Sequence, residues 1–202
     1  MKLGRVFLAT SNLGKLRDFA GAAAPSGVRL EGLPGFASLA SVAEDGTTFE
    51  ENARKKAEHY SRFVPGEILV ADDSGLEVDA LGGAPGVNSA RYAAGTGENS
   101  SDAANNARLL RELDGLPDQE RRAKFVCVIA AARNGRTLAT FRGQAHGAIL
   151  RAPRGSGGFG YDPLFFYPAL GKAFGELTPE EKAAVSHRGA AFGKFIEWLE
   201  LQ

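Results

Sequence analysis

Two strand-like runs in "RRAKFVCVIAAARNGRTLATFRGQAHG" flank the dipeptide Asn134-Gly135, and no other stretch constrains the fold as much. Both residues tolerate positive φ, so the pair suits a tight turn between adjacent antiparallel strands. Around this hairpin, strand and helix patterns alternate. "RVFLAT" (5–10) reads as a buried strand, and "SNLGKLRDFAGAAA" follows with helical spacing that puts Leu16, Phe19 and Ala20 on one side. "VRLEGL" is a weaker strand. Thr48 and Glu51 have capping-box spacing and open a helix striped by Phe49, Ala53, Ala57 and Tyr60. "EILVADD" is the next strand, and the glycine-rich residues 74–97 are expected to form a long functional loop with short helical pieces. "SSDAANNARLLREL" reads as a helix with a serine cap. Thr178-Pro179-Glu180-Glu181 opens another, and "AAFGKFIEWLE" lies in a final amphipathic helix. With no repeat and no obvious linker, the expectation is a single domain over residues 1–202, α/β, built on a mixed sheet.

Net charge gives no sign of a highly charged partner, although it leaves a local basic site open. Lys and Arg total 24 against 24 Asp and Glu, so net charge points to neither nucleic acid nor a membrane surface. No apolar run approaches the roughly 20 residues needed to span a bilayer, and the apolar part of "MKLGRVFLAT" is too short for a signal peptide. The one cysteine, Cys127, lies in an apolar strand and reads as a buried core thiol suited to a reducing compartment. Cytoplasm is the expected location.

Four stretches carry candidate chemistry. In "ATSNLGKLRDF" a strand enters a helix through Thr10, Ser11, Asn12, Leu13, Gly14 and Lys15, where free N–H groups and a lysine suit a phosphate. The glycine spacing is not that of a Walker A loop, and an ordinary capped helix would look the same. In "VADDSG" the adjacent Asp72 and Asp73 oppose each other's ionisation unless a cation compensates. A hard divalent cation such as Mg2+, which takes oxygen ligands and substrate phosphates, would do so, with Glu44 or Asp45 as a further ligand. Turn chemistry explains the same aspartates. "GGFGYDP" (157–163) offers close backbone approach and two flat faces, Phe159 and Tyr161, for a base or for a core. In "EEKAAVSHRG", Lys182, His187 and Arg188 bring three donors within a turn or two, in the manner either of a binding cluster or of a charged helix end. His59 and His146 read as structural or surface residues.

Together, "TSNLGK", "ADDSGLEVDALGGAPGVNSARY", "GGFGYDPLFF" and "LTPEEKAAVSHRG" occur in the order found in the inosine triphosphate pyrophosphatase (Ham1-like) family, which this chain resembles over nearly its whole length. The resemblance implies an elongated mixed sheet flanked by helices, with two lobes and a cleft between them. It implies Mg2+-dependent hydrolysis of ITP, dITP and XTP to the monophosphate and pyrophosphate, by a homodimer. Carried over by motif, Thr10 to Lys15 contact phosphates. Asp73 is proton acceptor and metal ligand, and Glu44 a second metal ligand. Ser74, Phe159, Gly160, Tyr161, Asp162, Lys182, His187 and Arg188 contact substrate. Asn88 departs from the aromatic residue that many relatives carry in the corresponding loop.

Two other classes compete. A phosphatase with an aspartate nucleophile would pass through an aspartyl-phosphate and release orthophosphate, but the aspartates here are adjacent rather than spaced as Asp-x-Asp. A non-catalytic nucleotide-binding module would release nothing.

Overall fold

Asn134 at φ 52° and Gly135 at φ 79° make the turn between β4 (Arg122–Arg133) and β5 (Arg136–Ile149) in the computed structural model, which describes residues 4–94 and 99–202. The Gly135 N–H donates to Ser61 Oγ at 2.9 Å, and Asn134 Oδ1 accepts the Gly66 N–H at 2.8 Å, so the turn is pinned from both sides. The remaining strands are β1 (Arg5–Leu8), β2 (Arg29–Gly32), β3 (Ile68–Val78), β6 (Phe165–Tyr167) and β7 (Lys172–Ala173). They form one sheet in the order β2-β1-β3-β4-β5-β6-β7. β1 runs parallel to β2 and β3, while β6 is antiparallel to β5 and β7. Parallel neighbours require crossovers, and helices α1 (Leu13–Ala23) and α2 (Phe49–Tyr60) lie in those connections. The sheet is mixed, as the patterning predicts.

The helices begin where the sequence says they should. Thr48 Oγ1 accepts the Glu51 N–H at 3.2 Å, and Glu51 Oε2 accepts the Thr48 N–H at 3.1 Å. The same reciprocal bonds, Thr178 with Glu181, open α4 (Pro179–Val185). Ser101 caps α3 (Asp102–Glu112). The last helix, α5 (His187–Leu199), contains the amphipathic stretch and opens at Ser186, whose Oγ accepts the Gly189 N–H at 3.0 Å.

Two expectations need correction. Ala20 is exposed, and the buried stripe of α1 is Phe19 and Ala23 with Leu16 packed at its edge. Residues 74–78 are strand rather than loop: β3 runs five residues past Asp73, and its Leu76 and Val78 are fully buried. Glycine content alone overstated the loop, since Gly75 is followed by alternating buried positions. The short helical pieces do occur beyond it, at Asp79–Leu81 and Gly86–Arg91. The end of the expected loop, residues 95–97, lies outside the described residues.

The chain divides into two compact units, Met1–Asp73 with Cys127–Gly143 and Ala183–Gln202, and Ser74–Val126 with Gln144–Lys182. In the first, Val6, Leu8, Val70, Cys127 and Ile129 meet Phe19, Phe192 and Phe195 from α1 and α5. In the second, Phe125, Phe165 and Phe174 pack ring on ring, with centroids 4.6 to 5.7 Å apart. Truncating any of these phenylalanines to alanine costs about 3–5 kcal/mol on the usual core scale. Among the described residues, no helix is long and apolar enough to cross a membrane.

Candidate active site

Adjacent residues of a strand point to opposite faces of its sheet, and this resolves the repulsion that the Asp72-Asp73 pair presents on paper. Asp72 shares a face with Val70 and meets α1. Its carboxylate takes both contacts of the Lys15 ammonium, at 3.0 Å to Oδ1 and 2.9 Å to Oδ2. Cys127 Sγ lies 4.0 Å away, and the Arg188 charge also reaches it. Burial raises the Asp72 pKa, but Lys15, Arg188 and Lys56 together outweigh it, leaving the group at about 2. The Cys127 thiol is pushed well up, first by burial and then by the Asp72 charge, so it stays protonated and inert.

Asp73 turns to the opposite face, toward α2. Asn52 Nδ2 donates to Asp73 Oδ2 at 3.1 Å, and Asn52 Oδ1 accepts the Gly46 N–H at 2.8 Å. One side chain thereby ties the loop carrying Glu44 to the catalytic candidate. One turn further along α2, Lys56 Nζ lies 2.8 Å from Glu44 Oε2 and 3.4 Å from Asp73 Oδ1. Burial, with the Glu44 charge adding to it, raises the Asp73 pKa above its ordinary value against the pull of Lys56 and Lys15. Glu44 goes the other way, because Lys56 overcomes its burial. Burial also opposes charge on Lys56, but Asp73, Asp72 and Glu44 raise its pKa. A carboxylate more basic than usual, locked in orientation by an amide, is suited to hold and accept a proton.

Asp45 is elsewhere: its carboxylate pairs with Lys55 at 2.5 Å and is largely exposed. Of the two candidates from that loop, only Glu44 joins Asp73. Glu44 and Asp73 converge on a single ammonium, which is the hard-oxygen donor set that a divalent cation also uses. No group of three or more His, Cys, Asp or Glu able to hold a metal occurs among the described residues. Two carboxylates completed by substrate phosphate oxygens is nevertheless the usual manner of Mg2+, so the residues fit that ion in the presence of substrate.

The 10–15 loop supplies the entry to α1. Asn12 Oδ1 caps the helix by accepting the Lys15 N–H at 3.0 Å, and Thr10 Oγ1 accepts the Asn12 N–H at 3.2 Å. Ser11, Asn12 and Leu13 are exposed, and Gly14 is buried. Arg188, on α5, is buried and pairs with Asp18 of α1 at 3.0 Å, beside the buried His187.

In the second unit, Asp162 organises the glycine-rich loop. Its Oδ2 accepts the Phe159 N–H at 2.8 Å and the Lys182 ammonium at 2.7 Å, with both side chains buried. Gly158 has φ 73°, and a Cβ there would collide with the Asp162 carboxylate, so the tight turn requires glycine. Lys182 Nζ sits 4.9 Å from the Phe159 ring centroid. Asp102 Oδ2 accepts the Gly160 N–H at 2.7 Å, and Asn106 donates to the Gly160 carbonyl at 3.0 Å. Tyr161 is buried and donates to the Ser89 carbonyl at 2.7 Å, which makes it a core plug rather than an open stacking face. Ser74 is half-buried in β3. Of the three donors close in sequence, Lys182 pairs with Asp162 and Arg188 with Asp18, while His187 is buried beside Arg188. His59 packs on Tyr60 and Phe63, and His146 is exposed.

Sequence reading missed Asn52 and Lys56. A signal existed: they stand four apart on α2, each one residue before Ala53 and Ala57 of the buried stripe, a position where polar side chains need partners.

A sequence profile described as the Ham1 family matches residues 6–198. A dITP/XTP pyrophosphatase of Geobacillus kaustophilus is 51% identical over 197 residues, covering 97% of this chain and 95% of the relative. The dITP/XTP pyrophosphatase of Geobacter sulfurreducens is 52% identical, covering 98% of each. Among solved structures, a HAM1 protein from Coxiella burnetii superposes with a TM-score of 0.84 at 38% identity, covering 98% of this chain and 99% of the other. The Ham1 protein of Staphylococcus aureus gives 0.81 at 40% identity, covering 97% and 98%.

Proposed function

The chain belongs to the Ham1 family, and from that premise we propose that it hydrolyses dITP, XTP and ITP to the nucleoside monophosphate and pyrophosphate. Its role is to keep non-standard purines out of DNA and RNA. The observation that carries the reading is the charge arrangement at Asp73: a buried carboxylate of raised basicity, oriented by Asn52 and facing Glu44 across Lys56. In this reading Asp73 orients the attacking water and accepts its proton. Glu44 and Asp73 would hold Mg2+ together with substrate phosphate oxygens, and the ion would supply charge neutralisation for the phosphoryl groups and the leaving pyrophosphate. Residues Thr10 to Lys15 receive the phosphates at the start of α1, where free N–H groups and the Lys15 ammonium favour an anion. The Arg188 and Lys56 charges also act on Asp72, so that carboxylate stays compensated when Lys15 turns part of its charge to phosphate.

Substrate contacts are further assigned to Ser74, Phe159, Gly160, Asp162, Lys182, His187 and Arg188. The ion pairs of Lys182 and Arg188 fix where their remaining N–H groups point, which suits reading a 6-oxo purine in preference to a 6-amino one. Tyr161 takes part by holding the loop in place. The enzyme works in this reading as a cytoplasmic homodimer of single-domain chains, acting on a small-molecule nucleotide with no nucleic acid or membrane partner. The buried, protonated Cys127 and the balanced charge support that setting.

The test is kcat/KM for dITP, XTP, ITP, dATP and dGTP with and without Mg2+, following pyrophosphate. The reading expects the three non-standard substrates at least about tenfold above the standard ones, the range that one unpaired buried donor provides, and no turnover without the metal. Equal kcat/KM across the panel would overturn the assigned specificity, and full activity in chelator would overturn the metal.

A further inference from the structure

Three arginines of the second unit surround a pocket that the proposed reaction does not use. Arg111, Arg121 and Arg151, with Leu110 and Asp114, line a space of about 510 Å3. Arg121 is buried, only 3% exposed, yet its guanidinium is held by main-chain carbonyls alone: Leu113 at 2.6 Å, Ile149 at 2.8 Å and Leu150 at 3.0 Å. Among the described residues, no carboxylate forms a salt bridge with it. Asp118 and Asp114 act on it only through space, and a buried cation with no paired carboxylate is costly unless something else neutralises it. Arg151 is fixed by Asp118 at 2.9 Å and by the Leu116 carbonyl at 2.9 Å, which aims its fork while leaving N–H groups over. Arg111, in the last turn of α3, is exposed. The charges do not cancel, since three cations stand against Asp114 and Asp118. Burial, and then the Arg151 charge, push the Arg121 pKa below its ordinary value.

We propose that this arginine-lined pocket binds the phosphate group of a small phosphorylated molecule. Arginine forks recognise carboxylate and phosphate alike, but here they arrive from three elements: the end of α3, the residue before β4 and the segment after β5. A carboxylate offers two oxygens in one plane. A phosphate offers oxygens in several directions and up to two charges, which matches donors converging from three sides. Leu110 adds an apolar wall, and the volume lies in the range of nucleotide-sized ligands. The chemistry is shared by free orthophosphate and by a nucleoside monophosphate, and the experiment separates them.

In 15N-labelled protein, the Arg121 Nε–Hε resonance is followed during titration with orthophosphate, with inosine monophosphate and with a ten-nucleotide single strand, at ionic strength held constant with chloride. The proposal expects a saturable shift with orthophosphate, or with the monophosphate if the nucleoside adds affinity. Arg111→Ala/Arg151→Ala should raise half-saturation by about tenfold or more, from the charge-assisted bonds lost. Both substituted side chains are exposed, and Arg111→Ala alone gives the same direction at smaller size. No saturable shift with either small probe, unchanged half-saturation in the double variant, or tighter binding of the oligonucleotide than of both small probes would each overturn it. Because the readout is binding at Arg121, failure here leaves the assigned hydrolysis standing, and failure of that hydrolysis leaves this site standing.

Discussion

Replacing Asp72 by asparagine isolates the electrostatic contribution of the Lys15–Asp72 pair, since asparagine mimics the protonated carboxyl in shape. Asp72 is fully buried, and its pKa falls from 3.8 to about 2 on folding. Each unit is worth about 1.4 kcal/mol, so the ionised form contributes about 2 kcal/mol at neutral pH. The folded pKa is depressed, so this stability is fully present above the unfolded value of 3.8 and is lost as pH falls through about 2. At pH 3 about half should remain. Asp72→Asn should therefore lower stability by about 2 kcal/mol at pH 7, equivalent to about 4–8 °C in Tm for a chain of this size. The difference from wild type should shrink to about 1 kcal/mol at pH 3. The assay is urea unfolding of both proteins at pH 7, 4 and 3, in chelator so that no metal at the neighbouring Asp73 contributes. A pH-independent difference would show that the loss is one of packing, and no difference at pH 7 would show that the desolvation cost cancels the ion pair.

Three further outcomes follow from the site. Asp73→Asn should abolish turnover with little change in melting temperature; retention of more than about a tenth of wild-type activity, a loss below about 1.4 kcal/mol in barrier, removes Asp73 from the central role. Because burial and Glu44 raise the Asp73 pKa, its carboxyl carbon in metal-free protein should titrate above the ordinary aspartate value of 3.8 by 13C NMR; a midpoint at or below that value contradicts the raised basicity. Lys15→Ala should weaken ITP and dATP alike, as steady-state kinetics on the two substrates would show, whereas loss of ITP activity alone would place Lys15 at the base.

What the sequence made legible was local. The Thr48–Glu51 and Thr178–Glu181 boxes, and the Asn134-Gly135 turn, are fixed by residues three or fewer apart, so they read directly. The strand that continues through Gly75 to Val78 did not, because pairing within the sheet overrode a composition that looks like loop. At the site, residue identity was legible but partnership was not. Asp72 and Asp73 look like one charge cluster in the chain, and the pleat of β3 separates them into two, one answered by Lys15 and the other by Lys56 and Asn52. Lys182, His187 and Arg188 look like one donor group, and the break at Ser186 divides them between α4 and α5. Tyr161 read equally as a face for a base or a core residue, and its burial and the bond of its hydroxyl to the Ser89 carbonyl favour the core. Apart from the local cap at Ser186, these outcomes depend on partners tens of residues away, which spacing along the chain does not encode.

The central claim is the bond that is broken, and 31P NMR of the products reads it directly. With ITP and Mg2+, the account predicts inosine monophosphate and pyrophosphate in equal amounts from the first time point, with no orthophosphate and no inosine diphosphate. Orthophosphate with inosine diphosphate would mean attack at the terminal phosphorus and the chemistry of a phosphatase, and the role assigned to Asp73 would fail with it.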